Sequence, residues 1–196
     1  MSFSAAELSP ERGIAAELRK AHVIQGEFRI SDDPELVLTT ILGSCVAACI
    51  RDPVVGIGGM NHFLLPGEEG PSAVGGEGLR YGVQSMELLV NALLRRGARR
   101  ERLEVKLFGG ARLIDGLTDV GSQNAIFAER FVRDEGLVHA GGSLRGDRAR
   151  RIQFWPVSGR ARQVFLAPQE TRVFAAERRR PATPPPAEAD GALELF

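Results

Sequence analysis

Residues 37–62 read VLTTILGSCVAACIRDPVVGIGGMNH, and they have the clearest strand and turn pattern of the chain. It is rich in β-branched and small apolar residues, and turn-forming pairs interrupt it at Gly43-Ser44 and at Asp52-Pro53. Short apolar runs between such turns are typical of β-strands. We therefore predict strands at residues 37–40, 46–50 and 55–62. The Asp-Pro turn further predicts that the second and third strands form a hairpin.

The second half of the chain combines helical and strand patterns. Apolar residues recur at helical spacing between residues 84 and 96, and Gly97 follows as a C-cap. We predict a helix there and a second helix at residues 123–135, ended by Gly136. Further strands are predicted at residues 103–108, 137–140, 152–157 and 163–166. Strands first, with two helices in the second half, predict an α+β fold.

The two ends of the chain differ in composition from the middle. Residues 178–190 read RRRPATPPPAEAD, a proline-rich composition that does not bury a core. We therefore expect one folded domain at residues 22–177, a disordered tail at 178–196 and an N-terminal extension at 1–21, whose weak periodicity is compatible with mobility. A Gly- and Pro-rich stretch at residues 66–78 is expected to be a long irregular loop.

The composition excludes several classes of protein. The chain has 196 residues, and its 25 basic side chains balance its 25 acidic ones. A polyanion-binding protein usually has a basic surplus, so we expect no nucleic-acid partner. The apolar runs are far shorter than the roughly 20 residues that span a bilayer, so we expect no membrane insertion. Glu7 and Glu11 lie where a signal peptide needs a basic segment and an apolar core, so we expect a cytoplasmic protein.

Cys45 is the candidate nucleophile. It follows Gly43-Ser44 at a strand boundary, where a turn of small residues is expected to expose the thiol and to aim backbone amides at its target. A thiol becomes nucleophilic at neutral pH when a base takes its proton. His62 is the preferred base, because the predicted hairpin folds it back toward Cys45.

A third group is needed to hold the imidazole in the productive tautomer. Three polar residues lie near in sequence, and the choice among them stays open: Thr39, Thr40 and Asn61.

Each candidate also has a purely structural interpretation. A free cysteine in an apolar strand is more often an inert core residue, which suits Cys49 within the run VAACI. A histidine at a strand end is likewise more often structural, and His139 has no partner motif. No group of His, Cys, Asp or Glu has metal-ligand spacing near either cysteine, and no glycine motif matches a phosphate loop. We therefore expect neither a metal nor a cofactor.

Several motifs occur together in this chain. They are TTILGSCVAAC at residues 39–49, RDP at 51–53, GGMNHFLLP at 58–66, LEVKLFGGA at 103–111 and FWPVSGR at 154–160. In this combination they strongly resemble the CheD family, the chemoreceptor glutamine deamidases of bacterial chemotaxis. The resemblance extends from residue 25 to residue 167, so only the two ends fall outside it.

The resemblance implies a catalytic triad and a fold. The family's nucleophile falls on Cys45, its histidine on His62 and its threonine on Thr39, which would act through its hydroxyl or its carbonyl group. The family's fold is similar to that of toxin-type cysteine deamidases, in which layered mixed β-sheets carry flanking helices. Because the loop at residues 67–78 follows the His62 strand, we expect it to border the active-site mouth and to be mobile.

The activity implied by the resemblance is hydrolysis of glutamine side-chain amides on chemoreceptors, that of a protein-glutamine glutaminase. The implied partners are the cytoplasmic domains of chemoreceptors and, in some bacteria, a CheC-type chemotaxis phosphatase, whose presence here the sequence leaves open. Two alternatives remain beside this activity. One is a non-catalytic module that binds the receptor or the phosphatase, and the other is a cysteine hydrolase that cleaves receptor methyl esters.

Overall fold

The structure is a computed structural model that describes residues 19–65, 77–113 and 119–171. Within these ranges the chain forms nine β-strands, two α-helices and one short 3₁₀ helix. In chain order they are β1 (Arg19–His22), β2 (Phe28–Ser31), β3 (Leu36–Leu42), β4 (Val46–Asp52), β5 (Ile57–Asn61), α1 (Glu77–Arg95), the 3₁₀ helix (Arg100–Arg102), β6 (Glu104–Gly109), α2 (Val120–Asp134), β7 (Val138–Leu144), β8 (Arg150–Phe154) and β9 (Ala161–Phe165).

The strands form two mixed sheets. One sheet has four strands in the order β1-β3-β8-β9, and the other has five strands in the order β2-β5-β4-β6-β7. Parallel pairing joins β1 to β3 and β6 to β7, and the other neighbours are antiparallel. The helices pack on one face of the five-stranded sheet, and the four-stranded sheet packs on its other face. This arrangement confirms the predicted α+β class, with layered mixed sheets and flanking helices.

The strand β4 lies at the centre of the five-stranded sheet and is buried on both faces. Side chains alternate along a strand, so its residues contribute to two different cores. Val46, Ala48 and Ile50 pack toward the helices, whereas Ala47 and Cys49 pack toward the four-stranded sheet. A strand covered on both faces requires an unbroken apolar run, and this explains the sequence VAACI.

Both helices end at the predicted glycines. After α1, the Ala98 amide donates to the Leu93 carbonyl over 3.2 Å and the Gly97 amide donates to the Leu94 carbonyl over 3.0 Å, which is a Schellman motif. Gly136 ends α2 through the equivalent pair of hydrogen bonds. Helix α1 begins at Glu77, earlier than the predicted residue 84, because glycines in its first two turns obscure the helical pattern.

The strands β1 and β2 were not predicted. Each has four residues, and each lies at an edge of its sheet with few buried side chains. Edge strands that are this short and this exposed show no alternating apolar pattern. The strand β1 also places residues 19–21, which were assigned to the N-terminal extension, in the four-stranded sheet.

Three predicted segments lie wholly or mostly outside the described residues. They are the tail at 178–196, the extension up to residue 18 and the loop at 66–78. Within the described ranges, neither helix is both long enough and apolar enough to cross a lipid bilayer.

The predicted hairpin is present, and the Asp52 carboxylate organises its turn. Oδ1 of Asp52 accepts hydrogen bonds from the amides of Val54 and Val55, and Oδ2 accepts from the Arg99 amide and from the Arg102 guanidinium. Burial by itself would raise the pKa of this carboxyl group. The hydrogen bonds outweigh burial and lower the pKa from 3.8 to about 2.

We expect Asp52→Asn to lower the free energy of unfolding by about 2 kcal/mol at pH 7, from the shift in pKa. Because the pKa is lower in the folded state, the carboxylate stabilises the fold at pH values above its unfolded pKa. This contribution disappears as the pH falls from about 4 to about 2. Urea unfolding of both proteins at several pH values measures the difference between them.

Glu104→Gln is the matched control, because Glu104 pairs with Arg51 at a site where a third of its side chain is exposed. We expect its effect to be at most about 1 kcal/mol. An Asp52→Asn loss that is as small as the control, or that is the same at pH 7 and pH 2, would contradict the role given to Asp52.

Candidate active site

The turn formed by Gly43, Ser44 and Cys45 joins β3 to β4, and its carbonyl groups are held from the end of β6. The Ala111 amide donates to the Gly43 carbonyl over 2.8 Å, and the Gly110 amide donates to the Cys45 carbonyl over 2.7 Å. The approach is so close that a Cβ atom on Gly109 would lie 2.1 Å from the Cys45 carbonyl oxygen. Gly109 is the last residue of β6 and Gly110 follows it, and their lack of side chains allows the backbone to approach the Cys45 carbonyl this closely.

Asn124 holds the same turn from the helix side. This fully buried residue of α2 donates from Nδ2 to the Ser44 carbonyl over 2.9 Å, and its Oδ1 accepts from the Leu65 amide over 2.8 Å. It thereby links the cysteine turn to the segment that leaves β5. The sequence signal for this role was a polar residue on the otherwise apolar face of a predicted helix.

Cys45 and His62 lie on the same face of the β4–β5 hairpin. An antiparallel bridge between Val46 and Phe63 continues the register of the two strands. In that register Cys45 and His62 are diagonal neighbours, and both project toward the four-stranded sheet. The hairpin therefore returns the histidine toward the cysteine, in the way that the sequence predicted.

The thiol of Cys45 is not exposed. The residue has 0% of its surface accessible, and it packs in the core between the two sheets. The expectation that the Gly43-Ser44 turn exposes the thiol is wrong, because the turn is itself enclosed by β6 and α2. His62 is also buried, with 5% of its surface exposed.

The imidazole of His62 is held by Thr40 of the neighbouring sheet. The Thr40 hydroxyl oxygen lies 2.9 Å from His62 Nδ1 and 2.7 Å from the Val23 carbonyl oxygen. The same carbonyl oxygen lies 3.4 Å from Nδ1. All of these groups are buried, so the contacts are shielded from competition with solvent.

These contacts determine the tautomer of the histidine. A hydroxyl group has one proton, and the Val23 carbonyl can only accept a hydrogen bond, so the Thr40 hydroxyl donates to Val23. It must then accept from Nδ1–H of His62. In the neutral imidazole this leaves the lone pair on Nε2, which is the nitrogen available to act as a base.

The other two candidates for the third group have different partners. The Thr39 hydroxyl donates to the Ile152 carbonyl over 3.0 Å, and the Thr39 carbonyl accepts from the Val23 amide over 2.9 Å. Adjacent residues of a strand point to opposite faces, so Thr39 and Thr40 cannot both face His62. The Oδ1 of Asn61 accepts from the Ala48 amide over 2.9 Å. The hydroxyl contact predicted for Thr39 is therefore made by Thr40.

The segment between β1 and β2, residues 23–27, also borders the site. The Gly26 amide donates to the His62 carbonyl over 2.7 Å, and the His62 amide donates to the Glu27 carbonyl over 3.0 Å. Between them, the Gln25 side chain reaches Cys45, and Cys45 Sγ donates to Gln25 Oε1 over 3.5 Å. Sequence reasoning missed this segment, because HVIQGE matches no strand, helix or catalytic pattern.

The remaining cysteine and histidines lie elsewhere. Cys49 is buried in β4, and burial raises the pKa of its thiol far above the ordinary value, an effect that nearby Lys106 only partly offsets. The structural interpretation of Cys49 therefore holds. His22 ends β1 and His139 lies on β7, and both are exposed. In the part of the chain that the structure describes, no three His, Cys, Asp or Glu side chains are grouped as metal ligands are.

Comparisons with known proteins identify relatives along nearly the whole chain. Residues 64–164 match the family described as CheD chemotactic sensory transduction. A protein of Rhizobium leguminosarum bv. trifolii is 57% identical over 91% of this chain and 96% of its own length. A protein of Acidiphilium cryptum is 59% identical over 91% of this chain and 94% of its own. One from Caulobacter vibrioides is 55% identical over 95% of this chain and 96% of its own.

All three relatives have the name probable chemoreceptor glutamine deamidase CheD. Among solved structures, a Neisseria meningitidis protein of the DUF152 family aligns with a TM-score of 0.41 and 10% identity, over 66% of this chain and 63% of that protein. The identities to the three relatives, together with the family match, lead to one conclusion. This chain belongs to the CheD family of chemotaxis proteins.

Proposed function

We propose that this chain hydrolyses the side-chain amide of glutamine residues in chemoreceptors, with Cys45 as the nucleophile and His62 as the general base and acid. The observation that supports this most directly is the hydrogen-bonded series from the Val23 carbonyl through Thr40 to His62 Nδ1, with Cys45 on the same face of the hairpin. The names of the relatives indicate the substrate.

The first half of the reaction forms a thioester. His62 Nε2 takes the proton from Sγ, and the thiolate attacks the carboxamide carbon of the substrate glutamine. The C=O electron pair moves to oxygen, and it returns when the C–N bond breaks. His62 gives its proton to the departing nitrogen, which leaves as ammonia.

The second half releases glutamate. A water molecule gives a proton to His62 Nε2 and attacks the thioester carbon. The C–S bond then breaks, and the sulfur takes the proton back from the imidazole. The balance is one water consumed and one ammonia released, and the carboxylic acid that forms gives its proton to ammonia in solution, so that one neutral receptor side chain becomes a carboxylate.

Backbone amides of the cysteine turn are the proposed donors to the oxyanion. A planar trans peptide places N–H and C=O on opposite sides. The carbonyl groups of Gly43 and Ser44 point to Ala111 and Asn124, respectively. The amides of Ser44 and Cys45 therefore point away from Ala111 and Asn124. The Val46 amide donates to the Phe63 carbonyl over 3.0 Å, and we therefore exclude it from the set.

Thr40 is proposed as the positioning residue of His62. The family resemblance assigns this role to Thr39, but its hydroxyl lies 3.0 Å from the Ile152 carbonyl oxygen instead. Thr39 and Ile152 thus link β3 to β8, while Thr40 on the opposite face meets the imidazole.

Mass spectrometry of a chemoreceptor cytoplasmic domain incubated with this protein tests the function. We expect the conversion of glutamine to glutamate at particular positions, with release of ammonia. Loss of methyl esters without loss of amides would identify an esterase, and tight binding without chemistry would identify a binding module. Addition of a CheC-type phosphatase to the same assay tests whether such a partner changes the rate.

We expect Cys45→Ala to lower receptor deamidation by several orders of magnitude, because no other group can form the thioester. Cys49→Ala is the matched control, since it removes the same atom from the same core on a strand neighbour. It should retain most of the activity. Near-normal turnover by Cys45→Ala would exclude the mechanism.

A second comparison separates the two threonines. Thr40→Val removes the acceptor for Nδ1–H with little change in shape, and we expect kcat to fall about 10- to 100-fold, as for other groups that orient a histidine. The pH profile of Cys45 alkylation by iodoacetamide should shift as well, because the base is no longer held in one tautomer. Thr39→Val, which removes only the hydrogen bond to Ile152, should leave this profile unchanged. The reverse pattern would assign the role to Thr39.

A further inference from the structure

The substrate cannot reach the nucleophile in the arrangement described above. Cys45 has 0% of its surface accessible, yet a glutamine side chain of another protein must contact its sulfur. Some group that now covers Sγ must therefore be replaced when the substrate enters.

Gln25 is placed to be that group. Its Oε1 accepts the hydrogen bond from Cys45 Sγ over 3.5 Å, although the residue as a whole is exposed. Most of the groups around the sulfur belong to the core between the sheets. Gln25 is different, because its side chain runs from the surface down to the thiol.

The backbone presents Gln25 at the tip of a tight turn. The Glu27 amide donates to the Ile24 carbonyl over 3.1 Å, and Gly26 has φ of +87°. These features are typical of a type II β-turn with Gln25 at its first central position. Gly26 and Glu27 bind both backbone groups of His62, so the backbone of the turn is fixed to His62 and Gln25 lies between these two anchored residues.

The chemistry of the contact is that of the substrate. A primary carboxamide on a two-carbon stem is the group that Cys45 attacks in a receptor glutamine, and Gln25 has the same group. We propose that the Gln25 side chain occupies the subsite for the substrate carboxamide and covers Cys45 until a receptor glutamine replaces it. The inference rests on the proposed function, which supplies the identity of the incoming group.

The exchange is between like groups. An incoming carboxamide can accept the hydrogen bond from the Cys45 thiol that Gln25 gives up. A side chain without an amide cannot accept it, and the buried thiol then loses its hydrogen bond. Gln25 therefore excludes water from the thiol in the empty site, and its contact with the thiol shows the kind of group that the subsite accepts. The cover lowers the apparent affinity for substrate, because only the fraction of molecules with Gln25 rotated outward binds substrate.

The rate of Cys45 alkylation by iodoacetamide in the full-length protein, followed by peptide mass spectrometry, measures how strongly Gln25 shields the thiol. This measurement needs no receptor. We expect Gln25→Ala to be alkylated about fivefold faster than wild type across the pH range, the factor given by loss of one ordinary hydrogen bond. Ile24→Ala, at the exposed neighbouring position of the same turn, is the matched control and should react like wild type. Buried Cys49 is the internal reference and should stay unmodified.

Receptor deamidation supplies a second measurement. We expect Gln25→Ala to lower KM by a similar factor and to leave kcat within about twofold, since the cover competes with binding and takes no part in the chemistry. Slower alkylation, with a pH profile displaced to higher pH, would show that the Gln25 amide stabilises the thiolate, and would overturn the proposal. Unchanged alkylation would overturn it too.

The experiments distinguish failure of the Gln25 proposal from failure of the proposed function. If wild type deamidates the receptor while Gln25→Ala is alkylated no faster, the cover is wrong and the proposed function stands. If neither protein deamidates the receptor, the proposed function is wrong, and with it the identity of the group that Gln25 is proposed to imitate.

Discussion

The strand β4 is buried on both faces, and this burial determines how the sheets, the helices and the cysteine turn are arranged around it. One face of the strand packs toward the two helices and the other toward the four-stranded sheet, so every residue from Val46 to Ile50 is buried. The turn that precedes the strand lies at the same depth. Three parts of the chain contact the turn that contains Cys45. They are the end of β6, Asn124 of α2 and the segment at residues 23–27.

The same layering brings His62 and Thr40 together from different sheets. His62 leaves β5 of the five-stranded sheet, whereas Thr40 belongs to β3 of the four-stranded sheet. Their contact crosses the core between the sheets, and the Val23 carbonyl completes it from the segment beyond β1. The orientation of the imidazole therefore rests on contacts from both sheets.

Local sequence patterns predicted a large part of this arrangement. The hairpin, the two helices with their terminal glycines, and the position of Cys45 beside His62 all follow from turn residues and apolar periodicity. The choice between Thr39 and Thr40 could not be predicted, because it depends on which face of β3 meets β5 across the interior. The edge strands β1 and β2 and the position of Gln25 were also beyond prediction. They depend on long-range pairing of short polar segments that have no periodicity of their own.

The proposed mechanism requires that the buried Thr40 hydroxyl group holds His62 as the Nδ1–H tautomer and leaves Nε2 as the base for Cys45. Nitrogen-15 NMR of the imidazole in the folded protein tests this most directly, since the chemical shifts of the two ring nitrogens differ with the position of the proton. We expect a protonated Nδ1 in wild type and a mixture of tautomers in Thr40→Val. A wild-type spectrum with the proton on Nε2 and a bare Nδ1 would contradict it.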